Sequence, residues 1–287
     1  MSTDNIASWI EGVVKRFINE SPENNMGDGL NERAWGNPLV GFSSGDDPLY
    51  AFYKEDIGSF YVTPVEWFGK KFPGVAVEPE ELIVISWILP QTEATKERHR
   101  HRVKWPNERW ARVRIFGEEV NNKLRKHVVE ALEEEGYTAV APMLSPHFQR
   151  ETSEKYGYAS SWSERHAAYA AGLGTFGLCD GLITPAGKAM RTGSVVARID
   201  IPPSRRPYED HHAYCLYHVK GTCGDCIPRC PVGAISGAGH DKLNCSGHVG
   251  ATRGYVESNY GFEGYGCGLC QTRVPCESGI PPELVLD

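Results

Sequence analysis

Eight of the nine cysteines in this 287-residue chain lie between Cys215 and Cys276. Their spacing constrains the fold more than any other feature. It reads Cys215-x7-Cys223-x2-Cys226-x3-Cys230-Pro231, then Cys245, then Cys267-x2-Cys270-x5-Cys276. The compact run CGDCIPRCPVGAI has the C-x2-C-x3-C-P form of bacterial iron–sulfur proteins, in which the cysteine before proline turns to a second cluster. Applied here, that swap gives one set of Cys215, Cys223, Cys226 and Cys276 and another of Cys230, Cys245, Cys267 and Cys270. Two four-thiolate sites are filled, and only Cys179 is left over. Disulfides are disfavoured because no secretory segment is present. Zinc favours symmetric pairs and leaves the Cys-Pro unexplained.

The length allows one large or two modest domains. With 40% hydrophobic residues the chain can bury a core, and its net charge of −7 gives no global attraction to nucleic acid or an anionic membrane. No apolar run approaches a membrane span. The N-terminal stretch lacks the apolar region of an export signal, so a cytoplasmic protein is expected.

In chain order, residues 5–20 form an amphipathic helix with Ile6, Trp9, Ile10, Val13, Val14 and Phe17 on one side. Residues 21–47 read as a long loop, either a lid or, as favoured here, a surface wrap. Residues 48–54 and 59–63 read as strand or turn pieces. Thr63 caps a helix opened by Pro64. ELIVISWIL, 81–89, reads as a strand buried on both faces. Residues 96–114 form a basic segment read as a solvated helix face. Asn107 caps a helix running to Gly136, and YTAVAPM follows as a strand. This alternation implies α/β layers.

Gly172-x-Gly174-x-x-Gly177 matches the dinucleotide fingerprint in form. However, it follows the helix-like SERHAAYAA, where the fingerprint needs a strand. The glycines imply close backbone approach to a neighbouring element or a flat cofactor.

AGLGTFG, GLITPAG, Arg191 and GSVV, followed by the two-cluster cysteine block, resemble the cobalamin-dependent reductases, the epoxyqueuosine reductases and reductive dehalogenases. Glu164, eight residues before Gly172, matches a glutamate of the epoxyqueuosine reductases. The resemblance covers roughly 137–287 and implies a nitroreductase-like α/β sandwich, residues 1–205, followed by a small bacterial-ferredoxin-like domain with two [4Fe–4S] clusters, residues 206–287. It implies base-off cobalamin held by Ala171, Gly172, Leu173, Gly174, Thr175 and Gly177, by Leu182, Ile183, Thr184, Pro185 and Gly187, and by Arg191, Ser194, Val195 and Val196. FMN is the alternative cofactor, since nitroreductase-like folds often hold it.

The chain departs from the family in places. Tyr158 stands where epoxyqueuosine reductases carry a catalytic aspartate. Dehalogenases use a tyrosine as proton donor, which makes Tyr158 the candidate acid and Arg191 its candidate cation. Tyr156 lies close by in sequence. Seven residues separate Cys215 from Cys223 where the family has two, and Pro275 precedes Cys276 instead of following it. His218 is a substitute ligand for Cys215 that is not favoured, and His211-His212 are assigned to the linker. Neither a C-terminal helical repeat domain nor a twin-arginine signal is present.

The expected function is a cytoplasmic reductase of a small organic molecule entering under the 21–47 loop. Its electrons come from an external donor such as ferredoxin or flavodoxin, and nucleic acid is an unlikely partner. The rival is a two-cluster electron-transfer or corrinoid-activating protein. Oligomeric state, substrate and donor are not encoded legibly.

Overall fold

A computed structural model describes residues 3–27 and 30–285; Asp28 and Gly29, within the long N-terminal loop, lie outside the described residues. The first helix, α1 (Thr3–Glu20), buries Ile10, Val13, Val14 and Ile18. The loop that follows is a wrap tied down at several points. Asn24 donates to the carbonyls of Ile18 and Trp35 and accepts from the Trp35 N–H. The Trp35 indole is buried and donates to Gly117 O at 2.9 Å. Its last part is a strand, β1 (Leu39–Ser44), which the Gly- and Ser-rich sequence concealed.

A second correction is α2 (Pro48–Asp56), expected as strand or turn because PLYAFYKED is rich in aromatic residues. Asp47 settles it as a helix: its carboxylate accepts from Leu49 N at 3.0 Å, and Pro48 is pre-set for the first turn. The next helix, α3 (Pro64–Lys71), begins as its sequence dictates. Glu66 reaches back to the Thr63 N–H at 2.8 Å, closing a capping box.

The central strand β2 (Leu82–Pro90) is buried from Leu82 to Leu89. After α4 (Glu93–Arg100) comes α5 (Glu108–Glu134), capped by Asn107, whose Oδ1 accepts from Trp110 N. Strand β3 (Thr138–Val140) leads to a hairpin of β4 (Arg150–Ser153) and β5 (Gly157–Ser160). Then come α6 (Glu164–Ala170), the short pair β6 (Thr175–Phe176) and β7 (Leu182–Ile183), and the long β8 (Met190–Arg198).

The main sheet has the order β1-β2-β8-β3, with every neighbouring pair antiparallel. Alternation along β2 sends Leu82, Val84 and Ile88 to one face and Ile83, Ile85, Trp87 and Leu89 to the other. Helices α3 and α6 cover the first face, and α1 and α5 the second. Two cores flanking one sheet explain why β2 reads as a continuous apolar run although the sheet is antiparallel. No described helix is long and apolar enough to cross a membrane.

Beyond residue 205 regular structure thins to α7 (Leu216–Lys220), α8 (Cys226–Arg229) and α9 (Lys242–Tyr260). The apolar residues here, including Ile235 and Val274, join the first core without a break.

Candidate metal and cofactor centre

The cysteines reach their positions through short elements. Cys215 precedes α7, Cys226 opens α8, Cys230 closes it, and Cys245 lies on the first turn of α9. Cys267 and Cys270 flank Gly268, whose φ of 68° belongs to the left-handed region. A side chain at 268 would also overlap the Trp110 indole. All nine thiols are free.

Cys215, Cys223, Cys226 and Cys276 line one small cavity, walled by Ile183, Tyr214 and Val274. Cys230, Cys245, Cys267 and Cys270 line a second, larger one. Among the described residues no three His, Cys, Asp or Glu groups converge tightly enough to hold a single metal ion. Each set surrounds a volume rather than a point, and a donor set of four thiols about such a volume fits an iron–sulfur cluster. The Ala234 N–H points at Cys230 Sγ, 3.2 Å away, a contact of the kind that tunes a thiolate ligand. Cys179 is buried and lines the second cavity, and the neighbouring Cys226 and Cys270, one from each set, lower its pKa well below the ordinary thiol value.

The loops carrying these cysteines are held by side chains bonded to backbone. Arg229 is buried, and its guanidinium donates to Leu269 O, Thr272 O and Arg102 O at 2.7–3.1 Å. His99 is fully buried, stacks on Trp110, and donates from Nε2 to Cys267 O at 2.8 Å. Its Nδ1 then faces the Asn107 N–H, and burial holds the ring neutral, with its pKa lowered to about 3. Lys96 donates to Ser278 Oγ, and Arg100 pairs with buried Glu277. The basic segment 96–114 is therefore not simply a solvated face. One side of it clamps the 267–278 segment, which sequence periodicity does not reveal.

The glycine-rich segments are used differently from the expectation that they cradle a flat cofactor. Gly172, at φ 76°, sits where an added Cβ would come within 2.5 Å of Arg205 O. A side chain on Gly174 would overlap Ile183 O, and one on Gly187, at φ 87°, would overlap Glu277 O. Their missing side chains admit protein backbone. Thr175 and Thr184 are likewise spent internally, on Tyr214 N and Gly187 O. Ala171, Leu173, Ser194, Val195 and Val196 are buried in the cores, and Pro185 is exposed. Of the residues expected to face a corrinoid, Gly177 and Ile183 line the first cavity, whereas Leu182 and Arg191 line the second. The wall of the second cavity also includes Arg165, Leu182, Met190, Arg191 and Thr192.

Behind that wall lies a charge network that sequence reading missed. Arg125, 1% exposed, donates from Nε to Glu164 Oε1 at 2.9 Å and from Nη1 to Glu118 Oε1 at 3.1 Å. Burial pushes the Glu164 carboxyl up, while Arg125 and the Ser194 N–H oppose that. Arg191 donates to Glu118 Oε2 at 2.7 Å. Although burial opposes it, Arg191, Arg125 and Arg114 together hold the Glu118 carboxyl below the ordinary range. The expected pairing of Arg191 with Tyr158 is therefore absent. Tyr158 is 48% exposed on β5 and lies outside the cavity lining; the Arg150 guanidinium sits 5.5 Å from its ring centre. Tyr156 instead donates to Asp56 at 2.6 Å. His218 stacks on His212 at 3.7 Å and lines neither cavity; His212 Nδ1 meets Phe176 O.

No family model matches the chain. It is 33% identical over 124 residues to the epoxyqueuosine reductase of Bacillus anthracis, covering 41% of this chain and 30% of that protein. It is 32% identical over 127 residues to the enzyme of Staphylococcus aureus, covering 42% and 31%. These matches thus span under a third of the length of either curated relative. In fold, the whole chain superposes on 70% of an epoxyqueuosine reductase crystal structure, with a TM-score of 0.53 and 17% identity. The same values hold for an epoxyqueuosine reductase bound to an epoxyqueuosine-modified tRNA stem loop. A catabolic reductive dehalogenase in complex with 3-bromo-4-hydroxybenzoic acid gives a TM-score of 0.51 at 15% identity, over 97% of this chain and 38% of that one.

The RNA-bound neighbour overturns the expectation of a small-molecule substrate with nucleic acid unlikely. The reason that expectation failed is physical: a net charge of −7 is a sum over the chain. It does not exclude a local concentration of cations such as Arg165, Lys188 and Arg191 around one cavity. In sequence and in fold, the resemblance to the cobalamin-dependent reductases, with epoxyqueuosine reductases and reductive dehalogenases among them, holds.

Proposed function

We propose that this chain is an iron–sulfur, cobalamin-dependent reductase acting on a substrate carried by RNA. The observation that carries the reading is the division of eight thiols between two cavities, the larger of which is also lined by Arg165, Lys188 and Arg191. In this reading residues 1–205 form a nitroreductase-like cofactor and substrate unit and 206–287 a ferredoxin-like unit. Cys215, Cys223, Cys226 and Cys276 would hold one [4Fe–4S] cluster, and Cys230, Cys245, Cys267 and Cys270 the other. Arg165, Leu182, Met190, Arg191 and Thr192 would face the corrinoid. When bound, these groups supply single electrons and a reducing metal. Nine free thiols suit a reducing compartment such as the cytoplasm.

The remaining work falls to side chains. Glu118 and Glu164 fix Arg191 and Arg125 behind the cavity wall, so its cationic surface is oriented before any ligand arrives. His99, Arg229 and the Lys96–Ser278 bond close the thiol-bearing loops. Tyr158, on the hairpin whose β5 packs against α9, is assigned to hold the transferred proton at Oη, with Arg150 as its cation in place of Arg191.

Titration of anaerobically cluster-loaded protein with cob(II)alamin tests the reading. Stoichiometric base-off binding by EPR, together with salt-sensitive binding of a modified RNA stem loop, is the expected result. Full iron without cobalamin binding would leave the second reading, a two-cluster electron carrier. The spending of the Gly172, Gly174 and Gly187 positions on backbone contacts favours that alternative. Binding of FMN instead would redirect the assignment to a flavin.

Single cysteine variants test the partition. Cys226→Ser is expected to lose one cluster's EPR signal and about half of the total iron, and Cys270→Ser the other cluster's signal and a similar share. Loss of both signals in either variant would break the assignment.

A further inference from the structure

We propose that the buried ammonium of Lys188 acts on both cluster sites at once and raises the reduction potential of each. This inference rests on the cluster reading above.

Lys188 is 3% exposed and lines both cavities. Its backbone is pinned, because the N–H lies 2.8 Å from Cys276 O and 3.2 Å from Glu277 O. The side-chain stem fills the space beside Gly181, where an added Cβ would come within 2.8 Å of Lys188 Cδ. Four cysteines lie close enough for their charge state to act on it: Cys179, Cys276, Cys270 and Cys226. Cys276 and Cys226 belong to the first set and Cys270 to the second.

A buried ammonium is costly unless opposite charge compensates it. Here the nearby sulfurs are the available source, Cys179 first and then ligands of both proposed sets, which would turn anionic on binding a cluster. Adding an electron to a cluster adds negative charge near the ammonium, and in a poorly solvated site the attraction favours the reduced form. The ammonium neighbours thiolates of both sets, so both couples should feel it. Nothing in the spacing of the cysteines points to this residue.

The test compares wild type with Lys188→Met and Lys188→Arg after anaerobic cluster loading. Iron and sulfide are counted, and both midpoint potentials are measured by EPR-monitored redox titration. Lys188→Met should keep its iron while both potentials move negative, by at least a tenfold change in each reduction equilibrium, about 59 mV for one electron. Lys188→Arg should stay close to wild type. If Lys188→Met does not load, Lys188→Gln takes its place with the same expected shift. Unmoved potentials at full iron, or movement of only one, would overturn the inference and leave the cluster reading standing. Wild type devoid of iron and sulfide after loading would overturn both.

Discussion

The central sheet and the cysteine-bearing region are built by opposite means. Strands β2 and β8 are buried on both faces between apolar cores, and their geometry follows from burial alone. The 215–276 region carries its thiols on short helices, turns and loops rather than on a sheet. It is held by individual polar ties: Arg229 to three carbonyls, His99 to Cys267 O, and Arg100 to Glu277. The lesson is that the sheet is a scaffold needing no ligand, whereas the thiol loops depend on a few contacts and, in the proposed reading, on metal.

Trp87 is the strongest probe of the first half of that contrast. It is fully buried, its indole donates to Asn121 at 2.9 Å, and Gly193 leaves room for the ring on the neighbouring strand. Trp87→Ala should cost about 3–5 kcal/mol in urea unfolding of metal-free protein. A small effect would show that the sheet is not an independent scaffold.

Arg229→Ala probes the second half. It removes a buried cation and strands the carbonyls of Leu269 and Thr272, at a cost of roughly 2–3 kcal/mol. The expected signature is local. Proteolysis should attack the 267–276 segment, and the second cluster should load less, with the unfolding midpoint of the sheet moving little. A global loss equal to that of Trp87→Ala would erase the distinction.

A pH series sharpens it further. His166 contacts Tyr53 and Phe176 and accepts or donates at Nδ1 with Ser163 Oγ. Burial, with the nearby Arg165 charge, depresses its pKa from 6.5 to about 3. Because the folded value lies below the unfolded one, the unfolded chain takes up more protons in that window. Its contribution is intact above pH 6.5 and is lost as pH falls toward 3, by up to about 1.4 kcal/mol per pH unit. In metal-free protein His166→Gln should flatten that slope; an unchanged slope would assign it elsewhere.

The smallest effect belongs to a half-buried cap. Thr63→Ala should destabilise α3 by about 1 kcal/mol, measurable as a shift in urea midpoint. A larger effect would mean that α3 supports more than its own first turn.

What the sequence disclosed follows the range of the interactions involved. Thr63, Asn107 and the β2 run were legible because caps and burial patterns are local. The proposed division of the thiols rests on ligand spacing, which is chemical. Strand β1 and helix α2 were misread, since Gly-rich and aromatic composition outweighed one capping aspartate. The glycines at 172, 174 and 187 announced close approach, but their partners, Arg205, Ile183 and Glu277, are set by tertiary folding. The same holds for the Arg125–Glu164 pair, the clamp from His99, and the place of Cys179 between the two sets.

Both cavities take ligand-type residues from the 267–276 stretch, which must thread past Trp110 at Gly268 and under the turn at Gly187. Neither set of thiols is therefore complete until that stretch has left the ribosome and docked. Before then Cys215 to Cys245 are a row of unpaired, oxidisable sulfurs. In the proposed reading, metal delivery would therefore be a late event in the biogenesis of this chain, and the interval before it would be when the thiols are most exposed to oxygen.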